Sequence, residues 1–285
     1  MKRLLTLAVL FLCCMATSFA QFSGSGSGTE SDPYLIMNPI QLNQLRNFLK
    51  QSGVYFKLMA DIDLTEFLEE ENPSEGWQPV GTSSTPFKGI LDGNGKTISG
   101  FWIKRSGTDY VGFFGNLNGG TVKNLTLTGG NVHGNEHVGF LSGYGGTVSD
   151  CSFSGSVSGY SYIGGCIGKS GVINRVKSTV DVLGKWHSYT IKDGEKIYDG
   201  GDYVGGLSGS NGSFNDCIVT NNYVSGINYV GGICGSNGNE NVTNSCYVYS
   251  NVSGNNFIGG IYGKSDSYNC DILNSGFCGN IEVWV

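Results

Sequence analysis

His133-Gly134-Asn135-Glu136-His137 reads as H-x-x-E-H, the spacing at which one helical face of a zinc peptidase presents two imidazoles with a carboxylate base beside them. The surrounding register argues against that chemistry. Val132-His133-Gly134 aligns with Val157-Ser158-Gly159, and His137-Val138-Gly139 aligns with Tyr162-Ile163-Gly164. The stretch is therefore expected to run strand, turn, strand, with a glycine inside it, and no metal site is assigned. Carboxylates are the next candidates, because polysaccharide-cleaving enzymes group them as acid and base. Asp61, Asp63 and Asp92 qualify by type, but each sits in a phrase rich in turn residues, where Asp serves the backbone. Glu66, Glu69, Glu70, Glu71 and Glu75 read as a solvated acidic loop. There is no phosphate loop, dinucleotide fingerprint, kinase motif or nucleophile elbow, so no cofactor and no catalytic residue is assigned.

Aromatic side chains offer binding chemistry instead. Between Gly184 and Tyr203 the chain carries an insertion, and residues 185–202 read as a β-hairpin around Asp193-Gly194. Trp186, His187, Tyr189 and Tyr198 lie on it, and loops on a rigid scaffold are where binding concentrates. A second set, Tyr110, His137, Tyr162, Tyr203, Tyr229 and Phe257, holds a single repeat position. Stacked, they form either a structural ladder or, facing outward, a carbohydrate platform. Trp186, His187, Tyr189, Tyr198, Tyr162 and Tyr203 are the binding candidates.

The elements that position these residues follow from an internal repeat. Val138-Gly139-Phe140-Leu141-Ser142-Gly143 returns as Ile163-Gly164-Gly165-Cys166-Ile167-Gly168, Val204-Gly205-Gly206-Leu207-Ser208-Gly209, Val230-Gly231-Gly232-Ile233-Cys234-Gly235 and Ile258-Gly259-Gly260-Ile261-Tyr262-Gly263. A second element runs through Val122–Leu127, Val148–Phe153 and Phe214–Val219, and a third through Val157-Ser158-Gly159, Val224-Ser225-Gly226 and Val252-Ser253-Gly254. Three short strands per unit of about 26 residues cannot bury their own apolar face. Stacked at about 4.8 Å they share one core, which predicts an all-β, right-handed, single-stranded parallel β-helix. Glycine is expected where a coil turns with positive φ or where coils approach closely.

Upstream, Asn38-Pro39-Ile40-Gln41 predicts a helix start, with Leu42, Leu45, Phe48 and Leu49 as its apolar stripe and Gly53 at its end. Residues 33–53 thus form a cap over the first coil, residues 21–32 a Gly/Ser-rich flexible leader, and residues 54–285 the β-helix. Residues 1–20 read as a secretory signal, with Lys2 and Arg3 before an apolar run that ends at Ser18-Phe19-Ala20. No stretch is long enough to span a membrane as a helix.

Composition agrees with export of a packed chain. The 285 residues hold 47 glycines and 12% aromatics, and a net charge of -6 excludes a strongly basic nucleic-acid binder. Seven cysteines beyond the signal, at irregular spacing, do not make a disulfide framework; Cys151, Cys217 and Cys246 recur at one repeat position and are expected in the core.

The V-G-G-L-x-G repeats, the phrase Leu91–Gly100 and the lead-in Gly28–Ile36 resemble GLUG-motif proteins, with the repeats beginning near residue 107. The resemblance covers nearly all of the chain after the signal. It implies an exported bacterial β-helix, since the motif occurs in large surface adhesins and beside the peptidase domain of some immunoglobulin A proteases. It implies a secreted or cell-surface setting and an adhesive role, and supplies no catalytic residue. The expectation is a non-enzymatic protein that binds a glycan or a host or matrix protein. The alternatives are a polysaccharide-cleaving β-helix using Asp61, Asp63 or Asp92, and a structural unit that self-associates end to end through its last coil.

Overall fold

The computed structural model describes residues 22–192, 195–238, 241–265 and 271–284. The chain is a parallel β-solenoid whose strands form three long sheets along its axis. The first sheet contains, among others, Tyr34–Ile36, Tyr55–Leu58, Ile90–Asp92, Thr121–Lys123, Thr147–Ser149, Ile167–Asn174 and Ser208–Asn215. The second contains Ile103–Lys104, Thr126–His133, Ser152–Gly159, Lys177–Gly184 and Tyr223–Ser225. The third is built from five strands: Glu136–Gly139, Ser161–Gly164, Asp202–Gly205, Asn228–Gly231 and Asn256–Gly259.

The repeats read from the sequence stack one on another. Val138 pairs with Ile163, Ile163 with Val204, Val204 with Val230 and Val230 with Ile258, all in parallel. Val122, Val148, Ile173 and Phe214 form an equivalent inward row in the first sheet, and Val132, Val157, Val182, Val224 and Val252 one in the second. Almost every member is fully buried. Each side chain so removed from water contributes about 1.5–3 kcal/mol, which no isolated coil could gather. The stretch from His133 to His137 is strand, turn and strand, as its register requires.

The glycines divide the expected roles unequally. The repeated positive-φ corners are filled mainly by other residues: Asn124, Asp150, Arg175, Asp216, Ser245 and Asn274 at one, and Tyr110, His137, Tyr162, Tyr203, Tyr229 and Phe257 at another. Asn and Asp suit the left-handed region, whereas aromatic residues there cost on the order of 1 kcal/mol each. The leading repeat glycines, by contrast, serve close approach. A Cβ on Gly164, Gly205 or Gly231 would drive into the carbonyl oxygen of Ile167, Ser208 or Cys234. A Cβ on Gly206 would strike the carbonyl of Gly232 in the next coil.

The first coil is capped as the sequence predicts. Helix α1, Pro39–Asn43, starts at Asn38, whose Oδ1 accepts from the Gln41 amide at 2.9 Å, while Gln41 Oε1 accepts from the Met37 amide at 2.7 Å. A 3-10 turn, Gln44–Phe48, continues it, so that Leu42, Leu45 and Phe48 are buried. The helical segment stops before Gly53, with Lys50 already in the left-handed region.

Two expectations need correction. Residues 22–32 are not a loose leader. Phe22 is buried with its ring 4.7–6.4 Å from those of Tyr34, Phe48 and Phe56, and the Ser25 carbonyl accepts from the Leu35 amide. The Gly/Ser content lets that segment of successive bends lie close over the cap instead of freeing it. The acidic stretch is not a loop either. Thr65–Glu71 forms helix α2, seated by buried Leu68, and its glutamates remain on the solvent side. Residues 1–20, read as a signal, lie outside the described residues.

Candidate functional site

The six aromatic corner residues form a continuous outer ladder. Tyr110 stacks on His137, His137 on Tyr162, Tyr162 on Tyr203, Tyr203 on Tyr229 and Tyr229 on Phe257, with ring centroids 4.7–5.0 Å apart and planes within 15° of parallel. This spacing is the coil rise, so one left-handed residue per coil generates the stack, and each ring contact offsets part of the backbone cost. Lys169 Nζ lies 4.2 Å from the Tyr162 ring centre. The ladder faces outward, half-buried along its length, and Phe257 at its end is exposed. Yet each interior ring has both faces covered by its neighbours, which leaves only edges for a ligand. Tyr162 and Tyr203 therefore serve the scaffold and present no sugar-stacking face.

Burial first, and Lys169 second, hold the His137 imidazole below the ordinary histidine pKa, while Asp109 pulls the other way. Its Nδ1 is buried without a hydrogen-bond partner. His133 belongs to a different sheet, where its Nδ1 contacts Ser158 and Lys185. Among the described residues, no group of three His, Cys, Asp or Glu side chains is placed to hold a metal ion.

The insertion is a hairpin, as expected. Trp186–Lys192 pairs antiparallel with Glu195–Gly200, with Tyr189 opposite Tyr198. Asp193 and Gly194, expected at its turn, lie outside the described residues, as do the side chains of His187, Tyr189 and Tyr198. Trp186 is 45% exposed. At the hairpin base the Lys185 amide donates to Gly159 O and the Gly201 amide to Tyr160 O, tying it to the preceding coil. This corner separates the second sheet from the third, so the hairpin stands between the aromatic ladder and a groove on the outer face of the second sheet.

That groove is the site the sequence reading missed. It has a volume of about 510 Å³ and is lined by Trp102, Lys104, Asn131, His133, Ser156, Ser158, Lys185 and Tyr223, with Ile103, Val157 and Leu183. Strand register explains the arrangement. Ile103 pairs with Val132, Val132 with Val157, Val157 with Val182 and Val182 with Val224, all inward. The preceding residues, Trp102, Asn131, Ser156, Asp181 and Tyr223, therefore make one outward row, and Lys104, His133, Ser158 and Leu183 a parallel one. His133 Nδ1 lies 3.1 Å from Ser158 Oγ and 3.4 Å from Lys185 Nζ. Burial, then the charges of Lys185 and Lys104, depress its pKa against an opposing hydrogen bond to the Ser158 backbone. The signal was present in the aligned Val132-His133-Gly134 and Val157-Ser158-Gly159, whose earlier counterpart is Trp102-Ile103-Lys104.

The carboxylates considered for catalysis are tied into corners. Asp61 Oδ1 accepts from the Thr97 amide at 2.8 Å. Asp63 Oδ1 accepts from the Thr65 hydroxyl and amide, and these bonds hold its carboxyl below the usual range. Asp92 Oδ1 accepts from the Asn94 amide and from Asn124 Nδ2, and it lies on the first sheet whereas Asp63 lies on the second.

The cysteines follow the core pattern. Cys151, Cys166, Cys217, Cys234 and Cys246 are buried free thiols, and Cys278 is exposed. Burial pushes the Cys151 thiol up to about 12. Cys217 and Cys246 share a hydrogen bond across adjacent coils, and that contact with burial holds the Cys217 thiol well above its ordinary value. Cys270 lies outside the described residues.

Comparison with known proteins gives a fold and two partial relatives. The structure matches one titled "Crystal structure of a putative immunoglobulin A1 protease from Bacteroides ovatus", with a TM-score of 0.68 and 23% identity over 90% of this chain and 79% of that one. At that identity the likeness establishes the β-solenoid fold. In Evansella cellulosilytica, a "Putative Gly-rich membrane protein" is 37% identical over 142 residues, 45% of this chain and 16% of the relative. Halomucin of Haloquadratum walsbyi is 36% identical over 148 residues, 51% of this chain and 2% of the relative. The chain thus spans only a small part of either relative's length. No family model matches the chain. Among the described residues, no helix is long and apolar enough to cross a membrane.

Proposed function

We propose that the chain is an exported, cell-surface or extracellular β-helix of the GLUG-motif kind, and that it acts as a non-enzymatic, adhesin-like binding protein for a glycan or a host or matrix protein. The observation that carries this reading is the groove beside the hairpin, where aromatic, basic and hydroxyl side chains converge on an otherwise regular solenoid. Partly exposed aromatic groups with a few placed polar groups are the usual makings of a recognition surface. The names of the two relatives, a Gly-rich membrane protein and a halomucin, support a surface setting. The engagement of Asp63 and Asp92 in local turn hydrogen bonds, and of Asp61 with the Thr97 amide of the next coil, supports binding over polysaccharide cleavage.

The test is binding of the purified protein to arrays of glycans, mucins and matrix proteins, beside Trp102→Ala and a double Trp186→Ala/Tyr189→Ala variant. Saturable binding reduced at least tenfold by either variant, with near-native melting, is expected. Unchanged binding in both would move the site elsewhere, and release of shortened products from a polysaccharide would replace the reading with an enzymatic one.

A second reading has its own observation. In the last described coils Phe257, Ile272, Leu273, Ile281 and Val283 are 46–59% exposed, and Ile258, Ile261 and Phe277 are only partly covered. Burial of these side chains against the same coil of a second copy would give end-to-end self-association, whereas the first coil is covered by α1 and Phe22. Light scattering that shows a strict monomer at high concentration would remove it.

A further inference from the structure

We infer that the groove of the second sheet takes an extended anionic glycan, a chain of sugar rings bearing carboxylate or sulfate groups; this rests on the reading above that the flank is a binding surface, and adds the ligand class. Charge is the first argument. The chain carries 23 acidic residues against 17 basic ones, yet the groove is lined by Lys104, Lys185 and His133 and by no acidic residue. Neither lysine has a carboxylate within ion-pairing distance among the described residues, although Arg105, Lys123 and Arg175 each have one. Asp181 shares the outward row, but its two carboxylate oxygens accept from the Asn222 amide at 2.8 Å and Asn222 Nδ2 at 3.0 Å. Those neutral donors leave Asp181 charged on the Tyr223 side, so the positive charge is concentrated toward the Trp102 end, where neither Lys104 nor Lys185 has a carboxylate within ion-pairing distance among the described residues.

Shape is the second argument. Trp102 and Tyr223 close the two ends of one row, four coil steps apart, or roughly 19 Å at the usual strand spacing. Between them lie Asn131 and Ser156, with Ser158 in the next row, which offer amide and hydroxyl groups at sugar height. Gly76, at a φ of 72°, lies close against the Trp102 indole, and the indole lines the groove. Two aromatic ends with a hydroxyl-rich floor suit a run of sugar rings, and lysines along it suit their acid groups. His133 adds a ring nitrogen to the floor, with Nδ1 3.1 Å from Ser158 Oγ, 3.3 Å from the Ser158 carbonyl oxygen and 3.4 Å from Lys185 Nζ.

Other polyanions fit less well. An acidic peptide would gain affinity by adding a strand, but the floor strands are already paired on both sides. A nucleic acid presents dense phosphate charge, which needs more cations than two lysines within an acidic protein.

The test measures affinity for three probes: chondroitin sulfate hexasaccharide and hyaluronate hexasaccharide as anionic chains, and maltohexaose as a neutral one. The native protein is compared with Lys104→Gln/Lys185→Gln, with Trp102→Ala and with Tyr223→Ala, each checked for native melting. Binding of at least one anionic probe is expected, weakening with salt, falling at least tenfold in the double lysine variant and severalfold in Tyr223→Ala. Should Trp102→Ala fail to fold, the lysine and Tyr223 variants carry the test, since those side chains are largely at the surface. Maltohexaose binding equal to the anionic probes, or an unchanged affinity in the double lysine variant, would overturn the inference while leaving a glycan-binding groove standing. Binding of matrix proteins with none of the three probes would overturn it and leave only the broader binding reading. No binding of any array member would overturn both.

Discussion

The outer aromatic ladder and the groove of the second sheet are built from the same repeat and differ in what repetition does to them. In the ladder an aromatic ring recurs coil after coil, so both faces of each interior ring meet neighbours at 4.7–5.0 Å and are closed to ligands. In the groove the equivalent row runs Trp102, Asn131, Ser156, Asp181, Tyr223, and the rings at its ends are kept apart by smaller side chains. A solenoid therefore makes scaffold where a position repeats and makes a recessed surface where it varies. The two histidines express the same rule: His137 substitutes for a ring in the ladder, whereas His133 replaces a serine-type position and contacts Lys185.

Breaking the repeat itself should have the largest effect. Gly205→Ala would force a methyl group into the Ser208 carbonyl, a backbone atom with nowhere to retreat. Overpacking of this kind costs about 1–3 kcal/mol or more, so calorimetry should show melting lowered by several degrees. A variant that melts as the native protein does would mean that the coils tolerate more separation than the structure allows. Next comes Tyr203→Ala in the middle of the ladder. It removes two stacked contacts worth about 0.5–1.5 kcal/mol each beyond burial, and should lower melting while leaving groove binding intact. Tyr223→Ala, at the more exposed end of the groove, should show the opposite balance, with binding weakened severalfold and melting changed less. If Tyr203→Ala abolished binding at native stability, the distinction between scaffold ring and ligand ring would fail.

Chemical labelling sharpens the contrast between inside and outside. Brief treatment of the native protein with a thiol reagent, read by peptide mapping, should modify Cys278 and leave Cys166 untouched until the protein is denatured. Cys166 is fully buried, and its thiol is pushed well above its ordinary pKa by that burial, whereas Cys278 is exposed. Labelling of Cys166 at a comparable rate would show that the third-sheet corner opens readily.

How much of this was legible follows from the same contrast. Repetition announces itself, so the paired rows Val138–Ile163–Val204–Val230–Ile258, the cap at Asn38 and the hairpin after Gly184 could all be read from residue order. The role of Gly205 was legible only as one of two choices, because a missing side chain fits both a left-handed corner and a tight approach. Helix α2 was hidden because its glutamates signal solvent whether in a loop or on a helix, and only Leu68 reveals the buried side. Phe22 was overlooked inside Gly/Ser-rich surroundings, since one anchoring ring changes the composition of a segment very little. The groove was hardest, because its members are distributed over residues 102–223 and none repeats. It becomes visible only when unlike residues at like positions are written in register.

The smallest expected effect concerns pH and again separates the two histidines. Both are held below the ordinary value of 6.5 in the folded chain, first by burial and then by nearby lysines. A depressed histidine means that the unfolded chain takes up the proton first as pH falls. Stability is therefore fully present above about 6.5 and declines as pH drops below that value toward the folded pKa. Melting should fall between pH 7 and pH 5.5, and replacement of each histidine should remove its share of the slope. His137→Phe keeps a ring in the ladder and isolates the contribution of an imidazole between two tyrosines. Lys185→Gln removes one cause of the His133 depression, so the groove histidine should titrate closer to 6.5, which a proton NMR titration reads directly. If Lys185→Gln shifted His137 and left His133 unchanged, the assignment of Lys185 to the groove would be wrong, and with it the separation of the two surfaces at the hairpin base.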